Sequence, residues 1–181
     1  MSIEITILTH DARWKGLAPT VKRAVEAVLD HLSSPRRRGS QAKHSEAKDL
    51  ASLLSASLRV RFRGNDKVSV AIVLSDDAEV QSLNRNYRKK DKPTNVLSFP
   101  DGSVEEGVRQ LGDIVLAYET IAREAAEQKK PIKAHIAHLT IHGVLHLLGF
   151  DHETEKEAAA MESIEISVLK RMGIANPYES S

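Results

Sequence analysis

Three histidines stand within eleven residues in the run His142-Gly143-Val144-Leu145-His146-Leu147-Leu148-Gly149-Phe150-Asp151-His152. On an α-helix, four residues turn through roughly 400°, so His142 and His146 lie about 40° apart on one face, one turn above the other. A single ion about 2 Å from each ring nitrogen can then hold both. Gly149 supplies the left-handed residue that ends a helix. The chain turns back there, and His152 returns to the same point from a loop. Three neutral nitrogen ligands with a fourth position left for water are the donor set of a catalytic zinc site rather than a closed structural one. One histidine alone reads as a hydrogen-bonded core residue. Two at helical spacing, a glycine stop and a third just beyond read together as one Zn2+ per chain, held by His142, His146 and His152.

The spacing H-x3-H-x2-G-x2-H is that of the extended zinc-peptidase motif, with one difference. In those peptidases the residue after the first histidine is a glutamate that takes a proton from the zinc-bound water. Here it is Gly143. Glycine inside a helix costs roughly 1 kcal/mol relative to alanine, so a packing or access reason is expected. The expected reason is room beside the metal for a bulky substrate. Without the glutamate a peptidase-like hydrolase is disfavoured. A metal-activated water can still attack a phosphodiester, and that chemistry wants a cation for the phosphate. Arg88 is the candidate, since its planar fork suits two phosphate oxygens, and Arg85, Lys89, Lys90 and Lys92 surround it.

These residues need elements to position them. Ile3, Ile5 and Ile7 alternate with polar neighbours as a strand, and Val21, Ala24, Val25, Val28 and Leu29 recur at helical spacing from about Pro19 to Leu32. A polar, basic, breaker-rich stretch follows at about residues 33–45 and reads as a mobile insertion. Leu50, Leu53 and Leu54 suggest a short helix. Val68, Val70, Ile72 and Leu74 read as a strand, and Ser75-Asp76-Asp77 caps a helix to about Tyr87. The basic cluster leads into a short strand over 95–100, then an acidic loop over 101–108, then a buried strand over 111–117. A helix from Glu119 to about Gln128 stops before Pro131. The histidine helix begins near Pro131 and is apolar on nearly every side, which places it in the middle of its domain. Its one polar stripe, His135, His138, His142 and His146, must line a cleft or polar cavity, because unpaired buried imidazoles are costly. Thr154-Glu155-Lys156-Glu157 is a capping box that opens a last helix, ended by Gly173. The expected fold is α+β: one domain over 1–181, with a small mixed sheet of about four strands packed by five to six helices around the histidine helix.

Composition narrows the partners. The 181 residues include 26 basic and 25 acidic side chains, a net charge of +1, which excludes a histone-like basic protein and leaves nucleic-acid contact to local clusters. No cysteine is present, so thiolate zinc sites, disulfides and cysteine nucleophiles are excluded. Neither a signal peptide nor a membrane span is legible, and a cytoplasmic location without membrane contact is expected.

The chain resembles the YbeY family of bacterial metal-dependent endoribonucleases. Three blocks carry the resemblance: Leu83-Asn84 through Arg88 to Pro93-Thr94-Asn95-Val96-Leu97-Ser98-Phe99-Pro100, then Leu111-Gly112-Asp113-Ile114, then His138 through His152. The resemblance implies an α+β fold, metal ligands at His142, His146 and His152, and a functionally important arginine at Arg88. It also implies cleavage of single-stranded RNA, maturation of the 3′ end of small-subunit rRNA, ribosome quality control, and contact with the ribosomal small subunit and its proteins. The rival expectation is a ribosome-assembly factor whose metal is structural and whose basic cluster only docks on rRNA.

Overall fold

Alternation decides the sheet. In β2 (Lys67–Ser75) Val68, Val70, Ile72 and Leu74 are buried while the residues between them are partly exposed, so one face of the strand is committed to a core. The structure, a computed structural model, describes residues 1–33 and 66–179. β1 (Ser2–Thr9) pairs parallel with β2 from Ser2 opposite Lys67 to Thr9 opposite Leu74. Ten-residue β5 (Val108–Ala117) pairs parallel on the other side of β2. Antiparallel β3 (Val96–Pro100) closes the sheet order β1-β2-β5-β3. The β2–β5 register slips between Ser69 and Ala71, so Leu111 and Gly112 bulge opposite Val70. Only glycine fits the bulge: φ is +120° at Gly112, and a Cβ there would stand 2.1 Å from the Phe99 carbonyl oxygen.

Residues 101–108 are not simply the acidic loop expected. Val104–Glu105 form a two-residue strand, β4, antiparallel to β5, and Glu106 and Gly107 both take positive φ, the geometry that closes a tight hairpin. With short β4 the described sheet has five strands, close to the about four expected. A short polar strand carries almost no periodic signal, which is why it reads as loop.

Among the described residues five α-helices pack on this sheet: α1 (Ala18–Ser33), α2 (Asp77–Arg88), α3 (Tyr118–Glu127), α4 (Ile132–Leu147) and α5 (Glu155–Arg171). A 3-10 turn at Ala12–Trp14, not anticipated from periodicity, buries Trp14, whose Nε1 donates to the Ser75 carbonyl at 2.8 Å. α4 is the central helix: Ile136, Ile141, Val144 and Leu145 are buried in the main core with α1, α5 and the inner faces of β2 and β5. A smaller cluster of Val80, Leu97, Val115 and Ala117 lies under α2 on the opposite face. The mixed sheet with helices around one main core is the expected α+β fold. The basic insertion, apart from Ser33, and the short helix near Leu50 lie outside the described residues. Among the described residues no helix is long and apolar enough to cross a membrane.

Candidate metal centre

α4 ends as its glycine requires. Gly149 takes φ +84°, its N–H bonds the His146 carbonyl, and the Phe150 N–H reaches back to the Leu145 carbonyl at 3.0 Å. This left-handed cap satisfies the last carbonyls of the helix and reverses the chain. It also aims the Phe150 carbonyl at Nδ1 of His146, 3.0 Å away. A carbonyl only accepts, so that Nδ1 carries the proton and Nε2 is left with a lone pair. The turn therefore does two jobs: it orients His146, and it delivers His152.

His142 is oriented by the same logic from another direction. Its Nδ1 lies 2.8 Å from Oε1 of Glu165, a residue of α5 with no exposed surface. The other oxygen of Glu165 accepts from Nε2 of His138 at 2.9 Å and from the Tyr178 hydroxyl. Burial alone would raise the carboxyl's pKa, but the hydrogen bonds from His138, His142 and Tyr178 outweigh it and hold Glu165 at about 2. Glu165 is thus a carboxylate at neutral pH. Burial, then proximity to the anionic Glu165, pushes the Tyr178 hydroxyl up, so it stays a donor.

With both Nδ1 atoms committed, the Nε2 atoms of His142 and His146 face each other at 3.0 Å. Two facing lone pairs repel unless a cation or proton lies between them. Burial, reinforced by His142 and His152, lowers the pKa of His146 to about 4, so its own Nε2 stays unprotonated at pH 7 and open to a cation. One ligand atom from each of His142, His146 and His152 lies within 4.8 Å of the other two, and the group could hold a metal. His142 and His146 are half-buried and His152 is exposed, so the triplet is open on one side. A recess of about 40 Å³ bordered by His142, His152 and Glu162 adjoins it, room for a water-sized molecule.

The remaining predicted residues fall elsewhere. Gly143 does not open the metal side: a Cβ there would meet Ile114 at 3.1 Å and the Ser98 hydroxyl at 3.2 Å. Its room is taken by the sheet, which lets α4 lie close on β3 and β5. Asp151, beside the triplet in sequence, accepts from the His152 backbone N–H at 2.8 Å and shapes the return loop. Arg88 stands exposed in the last turn of α2 and is not among the residues that meet at the triplet. Its position is braced indirectly. Tyr87 packs edge-on against Phe99 with centroids 5.2 Å apart, and the adjacent Ser98 hydroxyl donates to the Gly143 carbonyl at 3.3 Å. Buried Asn84 donates to the Lys92 carbonyl at 2.7 Å and pins the basic loop.

The polar stripe of α4 divides. His135 gives Nε2 to Glu124 at 2.8 Å, and His138 gives Nε2 to Glu165, so neither offers the nitrogen that His142 and His146 keep available. Sequence reading missed Glu165. Its signal was present: it falls on the inner face of α5 with Met161, Ile164 and Val168, and a carboxylate at a core position needs a partner.

A family model described as endoribonuclease YbeY matches residues 36–173. The curated endoribonuclease YbeY of Nitrobacter hamburgensis is 53% identical over 115 residues, 60% of this chain and 60% of its own length. That of Stenotrophomonas maltophilia is 53% identical over 131 residues, 69% of this chain and 79% of its own. A solution structure from Thermotoga maritima shares 22% identity at a TM-score of 0.48, covering 97% of this chain and 99% of that one.

Proposed function

The chain belongs to the endoribonuclease YbeY family, and from that premise we propose that it is a metal-dependent endoribonuclease that cuts single-stranded RNA. In this reading its substrate is the 3′ end of small-subunit rRNA, during ribosome maturation and quality control in the cytoplasm, in contact with the small subunit and its proteins. The observation that carries the reading is the pair of Nε2 atoms 3.0 Å apart, each on a ring whose Nδ1 is already bonded.

His142, His146 and His152 would hold the ion, assigned as one Zn2+ per chain. A bound divalent ion supplies Lewis-acid activation of water and offsets the charge that builds on a phosphodiester. The chain does the rest. Glu165 and the Phe150 carbonyl fix which nitrogen each ring presents, the outer-shell role that metal sites require. Arg88 clamps two phosphate oxygens with its guanidinium, and Arg85, Lys89, Lys90 and Lys92 concentrate the strand around it. A glutamate in place of Gly143 would drive into Ile114, so a peptidase-type base has no place there.

The test is cleavage of a single-stranded RNA with a precursor 3′ end by metal-analysed protein. Because His152 is exposed, His152→Ala leaves the fold intact. Wild type is expected to cut and this variant not to. Arg88→Ala is expected to keep its metal and cut at least about tenfold more slowly, one good charge-assisted contact being worth roughly 1.5–3 kcal/mol. Metal-replete wild type that binds small ribosomal subunits and cuts nothing would replace this reading with the non-catalytic assembly factor.

A further inference from the structure

We propose a second ligand site on this chain, a subsite for a nucleoside phosphate at the opposite end of the α4 stripe from the histidine triplet. It rests on the nuclease reading for its source, the substrate strand's own flanking nucleotide, though its chemistry also admits a free mononucleotide.

The cavity there measures about 530 Å³. That is within the size range of small-molecule sites, whereas the recess beside the triplet is not. Its rim is cationic. Arg23 comes from α1, Lys129 and Lys130 from the α3–α4 turn, and Lys133 from the first turn of α4. Lys130 is partly committed, its Nζ donating to the Pro177 carbonyl at 2.6 Å. The side chains of Arg23, Lys129 and Lys133 are exposed and make no hydrogen bond or ion pair among the described residues. Glu179 is the one carboxylate at the edge among the described residues.

Below the rim the walls turn apolar, with Leu169, Met172 and Ile174. A bare phosphate would use the rim and waste the walls. An acyl chain would use the walls and leave His135 unanswered. The His135 ring borders this cavity and is 4% exposed. Its Nε2 lies 2.8 Å from the Glu124 carboxylate, and its buried Nδ1 has no hydrogen-bond partner among the described residues. A nucleoside phosphate answers all three features: phosphate for the cations, base and sugar faces for the walls, and the polar edge of the base beside the imidazole.

The cavity also lies in line with the triplet. His138 borders it, and His142 follows about 6 Å along the same helix face. Tyr178, bonded to Glu165 and edge-on to His138 with centroids 5.4 Å apart, borders the recess at the triplet, while its neighbours Pro177 and Glu179 line the cavity. A strand laid along α4 would therefore seat one nucleotide here and present a neighbouring phosphodiester to the histidines.

Binding is measured in the His152→Ala background, where the strand is not cut. Labelled single-stranded RNA is titrated over a salt series, and adenosine monophosphate or inorganic phosphate is added to methyl-labelled protein in the NMR spectrometer. Lys129→Ala with Lys133→Ala should loosen RNA binding about tenfold at low salt and reduce the slope of log K against log salt by roughly 1.4, about 0.7 per lost cation. Lys15→Ala with Lys67→Ala, neither of which lines the cavity, should change neither. The nucleotide should shift the methyls of Ala134 and Ile174 saturably, and phosphate alone should not. RNA that displaces the nucleotide identifies the strand as the source; nucleotide binding indifferent to RNA identifies a free nucleotide. If both double variants behave alike and no methyl moves, the subsite does not exist. Wild-type cleavage is scored separately. Cleavage without binding here removes the subsite alone, and binding here without cleavage removes the nuclease reading and leaves the subsite.

Discussion

The two halves of the α4 histidine stripe make a controlled comparison within one helix. His135 and His138 share a face, a backbone geometry and a spacing with His142 and His146, and each has a protein acceptor within 3.0 Å. They differ in which nitrogen that acceptor takes. The first pair spends Nε2, the atom at the tip of the ring, on a carboxylate. The second pair spends Nδ1, nearer the backbone, and keeps Nε2. A tip nitrogen can meet another tip nitrogen across a shared ion; a ring held by its tip cannot. What separates a structural histidine from a candidate ligand here is therefore the position of its acceptor, not its burial or its place on the helix.

The comparison can be broken most decisively at the second pair. His146→Ala should lower metal affinity by well over the 10–100-fold that outer-shell changes cost, measured by calorimetry with Zn2+ on folded protein. Should the affinity be retained, His138 would have to be a ligand, and the division of the stripe would fail. Glu165→Gln comes next. It keeps the shape but removes the charge that selects the Nδ1–H form of His142, and affinity should fall about 10–100-fold. The first pair should respond in the other currency. His135→Ala should leave metal affinity unchanged and cost about 1–3 kcal/mol in chemical denaturation, because the Glu124 carboxylate loses a buried partner.

The smallest effect is a pH dependence. The folded-state pKa of His146 is about 4, below the ordinary 6.5, so the unfolded chain binds more protons between those values. Its contribution to the stability of metal-free protein is therefore fully present above about pH 6.5 and is lost as pH falls towards 4. In His146→Ala this part of the slope should vanish. A slope that survives intact would place the titration on another group.

Several features were legible because they are local. Helical spacing put His142 and His146 on one face, Gly149 ended α4, Thr154 and Glu157 formed the capping box, and alternation marked β2, each from fewer than ten consecutive residues. These are properties of backbone geometry acting over one or two turns, and no distant contact overrode them. The resemblance in three short blocks was legible for the same reason.

What the tertiary structure alone decided depends on partners far apart in the chain. Glu165 lies 23 residues from His142, and its role follows from α5 crossing α4. Gly143 looked like room for a substrate and proved to be room for Ile114 and Ser98, because close helix–sheet packing is set by both surfaces at once. The β4 hairpin depends on β5 to pair with it. The sequence by itself determined that three imidazoles would gather at the end of one helix. Only the fold decided which nitrogen each would present, because a ring's free lone pair is whatever its hydrogen-bond partner leaves, and that partner arrives through space.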